Sequence, residues 1–303
     1  MGVHRAAAAR RGRHPARRVR RTGAAPAPRP HERPSWGSQW GSQWGSQRGA
    51  GLRRRAIPQP MTQPTSRPMT CPATIMVVGD SLSHGSDGDY TWRYRLARHF
   101  AARGAPVRFT GPWTGTRAPP RAHRSPPHAH RSPVGGYRPG IGFPGDRHYA
   151  RWGRLMEEAR RNIADAVAAH RPGHLLVALG FNDLAWGVSG PDRLLAHVAE
   201  FVDRARAVRP DLRFLVADVV HRTPLPSLSH LPGITEAYNA RLPGLLAALS
   251  TPRSPVVPVG LAAVYDPYAD TYDGLHPGLA GEFTIAKAFA GAFLPALVAG
   301  RAG

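Results

Sequence analysis

The sequence predicts an α/β domain with a mostly parallel sheet and helices on both of its faces. Two observations carry this. Continuous apolar runs at Thr74–Gly79, His174–Gly180, Leu212–Val220 and Pro255–Val259 read as strands buried on both sides. Helical stretches separate them, and strands alternating with helices form a parallel sheet covered on both faces. Such sheets bind ligands beyond the carboxyl ends of their strands. Chemistry is therefore expected just after residues 79, 180 and 220, and near 260–277.

Each element has its own signal. After the first strand, Tyr90, Tyr94, Leu96, Ala97 and Phe100 recur at helical spacing over 89–103, with Asp87 or Asp89 as cap. Val107–Phe109 reads as a short strand. Residues 114–140 carry His-Arg-Ser-Pro at 123–126 and again at 130–133, and read as a surface insertion. Helices are expected at about 146–170, 191–208, 234–249 and 278–298, the last with Leu279, Phe283, Ala286, Phe289, Ala290 and Phe293 on one face. The domain is thus expected over residues 71–303.

Residues 1–70 read differently. Arg, Pro, Gly, Ser and Gln dominate, and too little apolar surface is present to offset chain entropy, so disorder is expected. The formal charge of the chain is +22. Residues 1–70 hold 15 of its Arg against a single acid, Glu32. This segment reads either as a tail for nucleic acid or another anionic surface, or as an unselected extension. No apolar run is long enough to span a bilayer, and no apolar core of a signal peptide follows the early arginines; a cytoplasmic location is expected. Cys71 is the only cysteine, which excludes an intrachain disulfide and thiolate-rich metal sites. His123, His128, His130 and His148 fall in or near a proline-rich repeat without fixed geometry, so neither metal nor cofactor is expected.

Three motifs occupy the strand ends. Gly79-Asp80-Ser81-Leu82 puts a hydroxyl where a nucleophile needs to be exposed and rigid, although such residues also make ordinary turns. Gly180-Phe181-Asn182-Asp183 offers a carboxamide that could face developing negative charge, or cap a helix. In Asp273-Gly274-Leu275-His276, a spacing of three lets a carboxylate hold one imidazole nitrogen while the other faces the nucleophile. Trp92, Trp113, Trp152 and Trp186 read as core or pocket wall. No phosphate-cradling glycine loop follows the first strand, which argues against a nucleotide binder.

Taken together, in the order Ser, Asn, Asp, His, the motifs resemble the SGNH (GDSL) hydrolase family over roughly residues 74–298. The segments 89–96 and 181–190 look closest to actinobacterial members. The resemblance implies a flavodoxin-like three-layer α/β/α fold and cleavage of small-molecule carboxylic esters. It implies Ser81 as nucleophile, His276 as base, Asp273 as its orienting acid, and the Ser81 N–H and Asn182 side chain in the oxyanion hole. The family's second block normally adds a glycine N–H. The matching stretch, Phe143–Gly153, offers Gly145 or Ala150 for that role. A different class of reading is a catalytically idle α/β binding protein that works through its basic tail. The sequence leaves the oligomeric state open.

Overall fold

The computed structural model describes residues 72–105, 107–119 and 134–299, with side chains through 293. The expected disordered segment 1–70 and the His-Arg-Ser-Pro repeats lie outside the described residues.

The central sheet is parallel, as its buried apolar runs require. In spatial order it runs β2 (Val107–Phe109), β1 (Ala73–Gly79), β6 (His174–Ala178), β7 (Arg213–Ala217) and β8 (Val256–Val259). A two-residue strand, β5 (Tyr149–Ala150), pairs with β1 at Val78 and Gly79. β2 lines the first half of β1 and β5 the last two residues, so β5 reaches the carboxyl end where Ser81 follows. The remaining strands, β3 (Thr116–Arg117) and β4 (Val134–Gly135), form a small antiparallel pair.

The short α1 (Ser81–His84) follows β1 at once, then α2 (Trp92–Ala102), α3 (Met156–His170), α4 (Phe181–Ala185), α5 (Pro191–Val208), α6 (Leu231–Leu249) and α7 (Leu279–Ala299). α2 packs on α7, while α3 packs on α5 and α5 on α6. From β1 the chain steps outward to β2, and from β6 it steps the other way to β7 and β8. Right-handed crossovers then put the two helix groups on opposite faces. Trp92 and Phe289 stack at 4.8 Å within the α2–α7 layer. Glu282 of α7 ties the same layer: its carboxylate accepts the Thr91 N–H at 2.7 Å and pairs with Arg95 at 3.2 Å.

Three sequence expectations shift. The helix expected at 146–170 starts only at Met156. Before it, β5 pairs with β1, and Gly153 takes φ +72, which a helix does not allow. α2 is capped by Thr91, not by Asp87 or Asp89; the Asp89 carboxylate accepts the Ser86 N–H at 2.6 Å instead. Within the insertion at 114–140, the two ends are regular, since β3 and β4 form the base of a hairpin. Among the described residues, no helix is long and apolar enough to cross a membrane.

Candidate active site

Ser81 is the first residue of α1, directly beyond the carboxyl end of β1. The Asp80 carboxylate caps this turn by accepting the Leu82 N–H at 3.0 Å. Burial raises the Asp80 pKa to about 7, against the pull of that N–H. Gly79 has no room for a side chain: a Cβ there would lie 2.3 Å from Ser83 Oγ. As the first residue of its helix, Ser81 has an N–H without an intrahelical acceptor.

The Asp273–His276 loop faces this turn. His276 Nε2 lies 3.0 Å from Ser81 Oγ, and His276 Nδ1 lies 2.6 Å from Asp273 Oδ2. An ionised carboxylate only accepts, so Nδ1 carries the proton and the Nε2 lone pair faces the serine hydroxyl. Asp273 Oδ1 accepts the N–H groups of Leu275 and His276 at 3.0 and 2.8 Å. Burial pushes the Asp273 pKa up, but the hydrogen bonds from the His276 backbone and ring outweigh it and hold the group below the usual carboxylate range. The imidazole is sandwiched: Trp152 stacks at 4.6 Å and Tyr272 at 5.8 Å.

The Asn182 motif meets the segment that leads into α3. Asn182 Nδ2 donates to the Arg154 carbonyl at 3.1 Å, which leaves the other amide hydrogen unspent. The Asp183 carboxylate accepts the N–H groups of Met156 and Glu157 at 2.8 and 3.2 Å and so caps α3. Burial lifts its pKa to about 6. Between β5 and α3, the Ala150 N–H goes to His148 Nδ1 at 3.1 Å and the Trp152 N–H to His84 Nδ1 at 3.2 Å. His84 and His148 are both held neutral, mainly by burial, so each ring can offer that lone pair. Among the described residues the Gly153 N–H has no hydrogen-bond partner. A Cβ on Gly153 would lie 3.2 Å from the Trp186 ring, whose side chain is otherwise largely exposed.

Ser81, His276 and Asp273 thus lie within hydrogen-bond reach of one another, while the Asn182 amide contacts the segment that leads into α3. Gly145 does not join them; it lines a surface groove with Tyr94, Arg98 and Phe109. Ala150 is buried with its N–H consumed. Two further residues near the Ser81 turn stand out that sequence reasoning did not single out. Gly153 had a signal, since a glycine inside a stretch expected to be helical marks a place where the helix can break; it takes φ +72. Arg93 had none, because a charged residue on a helix ordinarily faces water. Here it is fully buried, and its guanidinium donates to four carbonyls: Ser83 at 2.8 Å, His84 at 3.2 Å, Gly115 at 2.7 Å and Asp146 at 3.0 Å.

The model of the GDSL-like Lipase/Acylhydrolase family matches residues 77–282. The chain belongs to that family. It is an ester-cleaving hydrolase. No curated protein sequence matches the chain. Among solved structures, the chain is similar to a carbohydrate esterase family 3 protein from Talaromyces cellulolyticus, at TM-score 0.59 and 24% identity over 74% of this chain and 97% of that one. It is also similar to a Clostridium thermocellum family 3 carbohydrate esterase, at TM-score 0.57 and 23% identity over 76% and 98%. A mutant acetyl esterase with acetate ion gives TM-score 0.57 and 23% identity over 75% and 96%. These likenesses show the fold.

Proposed function

We propose that this hydrolase works by two-step acyl transfer through Ser81, His276 and Asp273. The single observation that carries the reading is the continuous relay from Asp273 Oδ2 through both imidazole nitrogens to Ser81 Oγ, at 2.6 and 3.0 Å. Ser81 Oγ bonds to the ester carbonyl carbon while His276 Nε2 takes its proton. Asp273 stabilises the imidazolium. The carbon–oxygen bond to the alcohol then breaks, and the leaving oxygen takes that proton from His276. Water repeats the sequence on the acyl-enzyme and releases the acid.

For the oxyanion we propose the N–H groups of Ser81 and Gly153 and the free amide hydrogen of Asn182. Gly153 replaces Gly145 and Ala150 in this role. Its N–H is unspent, its neighbour Arg154 is held by Asn182, and Ala150 has given its N–H to His148.

The test is p-nitrophenyl acetate hydrolysis by the purified chain, with fluorophosphonate labelling. Ser81→Ala is expected to abolish both turnover and labelling. Near wild-type turnover in that variant would overturn the proposal, and an unlabelled Ser81 in the wild type would favour an idle domain. Asn182→Ala is expected to lower kcat by about 10²–10³ with little change in KM, as loss of one oxyanion donor does.

A further inference from the structure

Arg117 is exposed, and its guanidinium stands one aromatic ring away from the proposed catalytic histidine. Its guanidinium carbon lies 4.2 Å from the centre of the Trp152 ring, the same ring that stacks on His276. A single indole therefore links guanidinium to imidazole. The backbone at Arg117 is fixed to the segment that follows the nucleophile. Its N–H donates to the Gly85 carbonyl and its carbonyl accepts from the Asp87 N–H, both at 3.0 Å. On its other edge it pairs with Val134 across the hairpin base.

Among the described residues, no carboxylate forms an ion pair with Arg117. The two nearest acids along the adjoining loop are engaged elsewhere: Asp87 accepts the Gly136 N–H and Asp89 the Ser86 N–H. A guanidinium stacked on an indole keeps its edge N–H groups free for in-plane, two-point contact with an oxyanion.

We infer that Arg117 is a specificity residue that selects esters bearing an anionic group, such as a carboxylate, close to the scissile bond. The inference rests on the esterase reading above. Two matched pairs of esters test it and locate the anion. 3-Acetoxybenzoate against 3-acetoxybenzamide puts the charge on the alcohol half. Phenyl hydrogen glutarate against phenyl methyl glutarate puts it on the acyl half, with uncatalysed rates subtracted. In at least one pair, the wild type is expected to favour the anionic ester by about tenfold or more in kcat/KM at low salt, the range of one charge-assisted hydrogen bond. That preference should decay toward unity in 1 M NaCl, through screening. Arg117→Met should bring the ratio to unity and Arg117→Glu should invert it; a ratio is independent of how far either variant lowers overall activity. A wild-type ratio near one in both pairs, or a preference that survives Arg117→Met, overturns the inference while leaving the esterase reading intact. Absence of turnover on all four esters, with Ser81 unlabelled, overturns both together.

Discussion

The turn that carries Ser81 and the loop that carries His276 meet at 3.0 Å, but they are built by different means. The serine turn is held by groups from other elements, α2 and the segment before α3. Arg93 binds the Ser83 and His84 carbonyls and reaches on to Gly115 and Asp146, so one guanidinium gathers three loops. Trp92 Nε1 donates to Ser83 Oγ at 3.3 Å, and His84 accepts the N–H of Trp152. The histidine loop is held mainly by its close neighbours, with outside anchors at Gly274, whose carbonyl accepts the Thr223 N–H at 2.9 Å, and at Leu275, whose carbonyl accepts the Tyr265 hydroxyl at 2.9 Å. Gly274 N–H donates to Thr271 Oγ1, the Tyr272 N–H to the His276 carbonyl, and the Leu275 and His276 N–H groups to Asp273. A nucleophile that must not move is set in a buried polar network. A base that must swing a proton between two oxygens sits in a local, partly exposed turn.

The largest expected effect strikes the local half. Asp273→Asn should leave the fold intact and cut kcat by about 10⁴, because a carboxamide allows the wrong imidazole tautomer. An unchanged melting temperature beside collapsed turnover checks it. Arg93→Met tests the other half and should do the reverse in kind. It strips four carbonyls of their donor, and unmet buried polar groups cost about 1–3 kcal/mol each. Thermal unfolding should show a fall of many degrees or loss of soluble protein. A variant that melts normally but turns over slowly would erase the contrast between the two regions.

The smallest effect concerns Asp80 and pH. Its folded pKa, about 7, lies above the ordinary value of 3.8, so the folded state holds the proton more tightly. The stability this contributes is complete below about pH 4 and is lost as pH rises through about 7. Asp80→Asn keeps an acceptor for the Leu82 N–H and removes the charge. Melting curves from pH 4 to 8 should therefore decline less in the variant than in the wild type.

The same division governed what could be read in advance. The sheet was legible because β1, β6 and β7 are continuous apolar runs that only a doubly covered strand explains. Asp273 and His276 were legible because their geometry is written within three residues. Arg93 was not, since its four acceptors lie on segments up to 53 residues away and are assembled only by the fold. The course of the chain before α3 was misread for a related reason. Residues 146–155 read as the start of a long helix, but pairing of Tyr149 and Ala150 with β1 and two imidazole acceptors draw the chain into an extended strand and turn. Asn239 uses its amide to bind both the N–H and the carbonyl of Val219, beside the buried Tyr238, a contact no local pattern announces.

The paired base formed by Thr116–Gly135 and Arg117–Val134 has a consequence for how this site can diversify. Whatever is spliced between the two strands departs and returns at neighbouring points, and doubling a closed loop's length adds only about 0.6 kcal/mol of closure cost. Lineages can therefore lengthen, shorten or exchange that arm almost freely.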